Sequence, residues 1–165
     1  MYIIEKFYEK ILNKEVPYYA KYSIFTMIWK PIRKYINVVI IPNIPFTSLR
    51  VYMYRWIGFN IGKNVFIGMK CYLDDVAIDK MVIEENVTIS YGCYFTCHGK
   101  DQGHTLIHIK QGVYLGMRCN VLSGKEGIRI GKNSIIGAGS LINKSIPDNV
   151  KAVGVPVKVL DENNV

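Results

Sequence analysis

The chain has 165 residues, half of them apolar, with a mean hydropathy of +0.12. That length suffices for one domain with a real core, and that composition excludes a disordered chain and an obvious membrane protein. The net charge of +8 is uneven: residues 1–60 carry nine Lys/Arg against three acids, a surplus of +6, and the remainder carries only +2.

Glu5, Lys6, Glu9 and Lys10 interrupt the early apolar residues, so no secretory leader is predicted and the protein is expected in the cytoplasm. Tyr2 to Lys14 is predicted as an amphipathic helix with Ile4, Phe7, Tyr8, Ile11 and Leu12 on one face. Beyond it, Tyr18, Tyr19, Tyr22, Phe25 and Trp29 interleave with basic residues. This pattern favours an anionic membrane face or a protein over nucleic acid as partner for residues 1–45, and the plainer alternative is a solvated basic face. The charge-free stretch Tyr35 to Leu49 contains Pro42 and Pro45. It falls short of the roughly 20 apolar residues of a spanning helix and is read as a loop. A second helix is predicted from Ser48 to Ile57, capped by Thr47 or Ser48 and stopped by Gly58.

From Ile61 onward an aliphatic residue, often followed by Gly, recurs every six residues. The triplets are Ile61, Ile67, Leu73; Ile83, Ile89, Phe95; Ile109, Leu115, Val121; and Ile130, Ile136, Ile142. No amphipathic helix keeps a period of six, whereas a stack of short strands joined at corners does. The period breaks after every third hexad, by ten, fourteen and nine residues. Three hexads therefore make one turn of a triangular prism, and every insertion leaves at the same corner. The largest insertion, 98–108, holds all three histidines.

Cys71, Cys93 and Cys119 each lie four residues after an aliphatic residue, in the slot that holds Val65, Val87, Val113, Ser134 and Ser140 elsewhere. They are read as inward packing residues, where serine would leave a buried hydroxyl short of partners. No second cysteine pair matches Cys93-Tyr-Phe-Thr-Cys97, so structural zinc is not predicted. The chain divides into a helical cap (1–60), the coil stack (61–146) and a C-terminal loop and tail (147–165). The cap would cover an otherwise unpaired edge.

These repeats resemble the hexapeptide-repeat acyltransferases. The resemblance runs from about Pro45 to Leu160 and is strongest in Ile130-Gly-Lys-Asn-Ser-Ile-Ile-Gly-Ala-Gly-Ser140, Ser145-Ile-Pro-Asp-Asn149 and Val153-Gly-Val-Pro156. It implies an all-β fold, a left-handed parallel β-helix of about four triangular coils with a short helical N-terminal cap and one extruded loop. It also implies a homotrimer with the active site between subunits.

Acyl transfer to a hydroxyl needs a base that takes up and returns a proton at neutral pH, which suits histidine. Thr96-Cys97-His98-Gly99 opens the largest insertion and is similar to the family's catalytic histidine segment in galactoside and maltose acetyltransferases, so His98 is expected to be the base. His104 is a candidate substrate contact, His108 a structural residue, and Cys97 a buried small residue. A three-histidine zinc site would draw ligands from neighbouring coils, and here all three come from one loop, so no metal is expected. By the same resemblance acetyl-CoA is the cosubstrate, contacted by Met117, Ala138, Asn143, Lys144 and Lys158. Asn143 stands where the family has Thr, and Lys158 replaces an Arg and loses its bidentate fork. Asp74-Asp75 match an acidic pair near the acceptor pocket, with Asp75 the substrate-binding residue.

The resemblance thus points to an acetyl-CoA-dependent O-acetyltransferase acting on a sugar, polysaccharide or lipid-linked saccharide, at the inner membrane face if residues 1–45 bind lipid. The alternatives are an amino-sugar N-acetyltransferase and a non-catalytic β-helix scaffold subunit.

Overall fold

A computed structural model describes residues 23–160. The predicted helix at Tyr2 to Lys14 lies outside the described residues. The described residues fall into two units that divide between Ile36 and Asn37.

Within the first unit, helix α1 spans Ile24–Tyr35. The Ser23 hydroxyl caps it by accepting from the Thr26 N–H at 3.2 Å, and Arg33 and Lys34 in its last turn complement the helix dipole. Sequence reading missed this helix because Pro31, normally a helix breaker, sits inside it. A π-helical turn (Ile36–Ile40) and a 3-10 turn (Ile41–Asn43) occupy what was expected to be loop.

In the second unit, α2 spans Thr47–Trp56, one residue from the predicted bounds. The expected side-chain cap is absent: Phe46 occupies the cap position, and the Thr47 hydroxyl instead accepts from Arg50 Nη2 at 3.2 Å. Gly58, with φ +115°, ends the helix as predicted.

The hexads form the three faces of a parallel β-helix. The first face stacks β1 (Asn60–Ile61), β3 (Met81–Ile83), β8 (Ile107–Ile109) and β11 (Ile128–Ile130). The second stacks β2 (Phe66–Ile67), β4 (Thr88–Ile89), β9 (Tyr114–Leu115), β12 (Ile135–Ile136) and β14 (Lys151–Val153), with β15 (Lys158–Val159) antiparallel at its edge. The third stacks β5 (Tyr94–Thr96), β10 (Asn120–Leu122) and β13 (Leu141–Ile142), extended by a Tyr72–Tyr94 bridge. Pairing puts Ile61 on Ile83, Ile83 on Ile109 and Ile109 on Ile130, and these stacked aliphatics are the buried core. The stack continues past four coils: Ile146 bridges Ile130, and Ala152 pairs with Ile136.

Corners follow from local chemistry. Three residues after each inward aliphatic of the first two faces the backbone turns left-handed, at Asn64, Asn86, Gly112, Asn133 and Asn149 and at Lys70, Gly92, Arg118 and Gly139. At Gly116, the residue after such an aliphatic, an added Cβ would lie 2.5 Å from the Ala138 backbone nitrogen. The Ile-Gly pairs of the repeat reflect this close approach of coils.

The slot shared by Val65, Cys71, Val87, Cys93, Val113, Cys119, Ser134 and Ser140 is buried, as expected. Its polar atoms are satisfied, contrary to expectation. Cys71, Cys93 and Cys119 donate to the carbonyls of Ser90, Gly116 and Gly137 at 3.1, 3.2 and 3.3 Å, and Ser134 and Ser140 already donate to Pro147 and Gly137 at 2.6 and 2.7 Å. A serine hydroxyl in this ladder therefore has a carbonyl within reach.

The open end of the stack is closed by side chains. The carbonyls of Ile61, Ile67 and Leu73, one on each face, accept from Arg55 Nε, Arg50 Nε and Asn37 Nδ2 at 3.0, 2.8 and 2.8 Å. Arg50 is fully buried, and burial lowers its guanidinium from the ordinary arginine range. It also donates to the Ile44 carbonyl. These contacts replace the ladder bonds that a preceding coil would have made.

Candidate active site

Every insertion leaves at the third corner, between the three-stranded face and the next strand of the first face. There the chain extrudes a hairpin of β6 (His98–Gly99) and β7 (Gly103–His104). His98 pairs with His104 across it, their rings edge to face with centroids 6.3 Å apart.

One coil below, Asp74 has no exposed surface. Its Oδ2 accepts the Cys97 backbone N–H at 2.7 Å and lies 2.5 Å from His98 Nδ1, and its Oδ1 accepts the Val76 N–H at 3.0 Å. A carboxylate has only acceptors to offer, so it fixes the tautomer with the proton on Nδ1. Nε2 is then left with its lone pair, on a side chain that is 40% exposed. A buried carboxylate held on one ring nitrogen in this way leaves the other able to accept a proton.

Sequence reading placed His98 at the insertion root but missed the role of Asp74, taking Asp74-Asp75 as acceptor contacts. The signal was available in the register. The first two coils are offset by 22 residues, which puts Asp74 beneath Thr96, two residues before His98. Asp75 is also buried and accepts from the Tyr72 hydroxyl at 3.4 Å. Burial, Asp74 and Asp75 push the Tyr72 phenol up to about 12. Cys97 is buried, and burial together with the Asp74 charge pushes its thiol up to about 12, which leaves it a poor nucleophile at neutral pH.

His104 is exposed on the hairpin. His108 stands apart on the first face, its Nε2 2.7 Å from Glu84 Oε1. Burial pushes the Glu84 carboxyl up, but the Gln111 N–H on Oε2 and His108 outweigh it and hold the group below the ordinary carboxylate value. Among the described residues no cluster of three or more His, Cys, Asp or Glu is placed to hold a metal ion.

The residues assigned to the cosubstrate lie elsewhere on the prism. Met117 and Ala138 are exposed one above the other at the second corner, beside Gly139, whose α-carbon faces open space. Asn143 and Lys144 are exposed at the third corner just past β13, and Lys158 lies on the edge strand β15. The exposed backbone at Ala138 and Gly139, with cations toward the C-terminal end of the stack, fits an amide-bearing arm that ends in phosphates. His98 and the Met117–Ala138 corner sit at opposite ends of the three-stranded face.

A family model described as the hexapeptide repeat of succinyl-transferase matches residues 58–97 and 107–144. The galactoside O-acetyltransferase of Escherichia coli K12 is 34% identical over 120 residues, covering 64% of this chain and 58% of that protein. That of Lactococcus lactis is 39% identical over 113 residues, covering 59% and 53%. The chain thus spans between half and three-fifths of the length of these relatives. In fold it is similar to a maltose O-acetyltransferase from Clostridium difficile, with TM-score 0.61 and 22% identity over 84% of this chain and 88% of that one. It is similar too to a hexapeptide-repeat acetyltransferase from Vibrio cholerae complexed with acetyl coenzyme A, with TM-score 0.62 and 18% identity over 93% and 95%. With its coil register and this match in hand, residues 58–97 and 107–144 of the chain are hexapeptide repeats.

Proposed function

We propose that the protein is an acetyl-CoA-dependent O-acetyltransferase acting on a sugar hydroxyl of a saccharide, polysaccharide or glycolipid, with His98 as general base. The observation that carries this reading is the buried Asp74 carboxylate on His98 Nδ1, which leaves Nε2 free to accept a proton. The acceptor hydroxyl gives its proton to Nε2 as its oxygen attacks the thioester carbonyl. The C–S bond then breaks, and His98 returns the proton to the departing thiolate, giving the O-acetyl ester and free coenzyme A. The Asp74 carboxylate holds the ring in place and stabilises the transient imidazolium. Met117 and Ala138 line the arm of the cosubstrate, Asn143, Lys144 and Lys158 face its polar end, and Asp75 and His104 border the acceptor. Because His98 and the Met117–Ala138 corner occupy different corners, a homotrimer that brings one chain's histidine to its neighbour's second corner would complete the site.

The test is His98→Ala. It should lower acetyl transfer by about 10² to 10⁴, the range for losing a general base, and leave the fold and acetyl-CoA affinity intact. Activity within a few-fold of wild type would overturn the assignment.

A second reading concerns location. Phe25, Ile28, Ile32 and Tyr35 recur along α1 at helical spacing and are 46–77% exposed, with Lys30, Arg33 and Lys34 on the same helix. No described helix is long and apolar enough to cross a membrane. An exposed apolar stripe with adjacent cations suits the surface of an anionic bilayer. Sedimentation with anionic vesicles should recruit the protein at low salt and fail with neutral vesicles, and equal recovery with both would leave residues 1–45 without a membrane role.

A further inference from the structure

The second corner of the prism departs from the chemistry of the others. Left-handed backbone is easy for Gly and tolerated by Asn and Asp. Among the described residues, seven non-glycine positions have positive φ, and five of them are Asn or Asp. The exceptions are Lys70 (φ 59°) and Arg118 (φ 57°), both at the second corner, where the equivalent positions on the other rungs are Gly92 and Gly139. The fold holds two long cations where glycine would be more comfortable, and packing gives no reason for it, since both are exposed.

The two cations flank one hollow. Gly92 lies between them, and its missing Cβ would sit 3.5 Å from Arg118 Cγ, so the arginine stem lies over the glycine. With Tyr91, Tyr94 and Asn120 they line a notch of about 290 Å³ that no carboxylate borders. Lys70 Nζ donates to Asn43 Oδ1. Among the described residues the Arg118 guanidinium has no hydrogen-bond or ion-pair partner. Tyr91 and Tyr94 are 44% and 53% exposed and present aromatic surface on which a sugar ring can pack. A second hollow of about 220 Å³ shares Lys70 and Tyr94 and adds Tyr72, whose ring lies 6.0 Å from that of Tyr94. Tyr72 in turn reaches Asp75, next to the Asp74–His98 pair. A tyrosine-lined surface therefore leads from the two cations along the three-stranded face toward the candidate base.

We infer that the Lys70–Arg118 notch binds the anionic substituent of an acidic saccharide, a carboxylate or a phosphate, with Tyr91 and Tyr94 against its ring. Its role in choosing the acceptor rests on the acetyl-transfer reading, whereas the binding itself does not. The notch spans the first three coils, while Lys144 and Lys158 lie at the other end of the stack, which separates it from the phosphates of the cosubstrate.

Calorimetry on the full chain tests this with four probes: a glucuronic acid-containing disaccharide, a sugar 1-phosphate, a neutral disaccharide and coenzyme A. Arg118→Gly and Lys70→Gly suit variant analysis because glycine relaxes the backbone at both positions. Wild type should prefer an acidic probe, with affinity falling as salt rises. Each variant should bind that probe about five- to tenfold more weakly, with the neutral probe and coenzyme A unchanged. The stronger of the two acidic probes identifies carboxylate or phosphate. Equal binding of neutral and acidic probes, loss of coenzyme A affinity in the variants, or a changed oligomeric state by light scattering would each overturn the inference. Turnover retained in His98→Ala alongside intact acidic binding would instead remove the histidine assignment and leave the notch standing.

Discussion

Asp74→Asn isolates what the buried carboxylate does for His98. The change is isosteric and leaves the side chain in a fully buried position with three hydrogen-bond partners. Two orientations of the amide are possible. With its oxygen toward Cys97 N–H and His98 Nδ1, the amide NH₂ meets the Val76 N–H donor to donor, and the imidazolium loses its counter-charge. With NH₂ toward His98, Nδ1 must become the acceptor, so the proton moves to Nε2 and the base is lost. Both outcomes predict a fall in kcat of about 10² to 10⁴, as when a triad carboxylate is neutralised elsewhere. The mismatched buried partner should also lower stability by about 1–3 kcal/mol. Thiol release at saturating acetyl-CoA, with a thermal melt on the same samples, measures both. The double variant with His98→Ala should be no slower than His98→Ala alone, since the two groups act as one unit. A kcat within about threefold of wild type would refute the orienting role, because no general-base contribution of ordinary size would remain to be explained.

Arg50→Met should destabilise the fold by about 3 kcal/mol, because it strands the buried Ile67 carbonyl and the half-buried Ile44 carbonyl, and a urea melt with an unchanged midpoint would contradict that. Replacing Cys71, Cys93 and Cys119 together with Ser should cost no more than about 1 kcal/mol per site, since each hydroxyl inherits a carbonyl already used by a thiol, and should leave turnover intact. Folding with loss of turnover would show that the thiols do more than pack. Glu84→Gln addresses pH. The folded Glu84 carboxyl lies below its ordinary value, so on acidification the unfolded chain takes the proton first. Its stabilisation is full above the unfolded value of about 4.3 and is lost as pH falls through the folded one. The wild-type Tm should therefore drop more steeply than that of Glu84→Gln between about pH 5 and pH 3, and parallel curves would rule the contribution out.

The amino-acid order alone determined the six-residue period, the inward aliphatics, the corner that carries every insertion, and His98 at the root of the largest one. These are legible because a β-helix is built from local repeats, each hexad specifying its own strand and corner. Tertiary structure decided what depends on one coil lying over another. Asp74 meets His98 across 24 residues only once the register is fixed, and the thiols find carbonyls only when the next rung is in place. Arg50 reads as a surface cation in a helix, yet it is buried because the first coil has no coil beneath it and its carbonyls need donors. Lys70 and Arg118 lie 48 residues apart in the chain, and only the stacking of their corners makes them one feature.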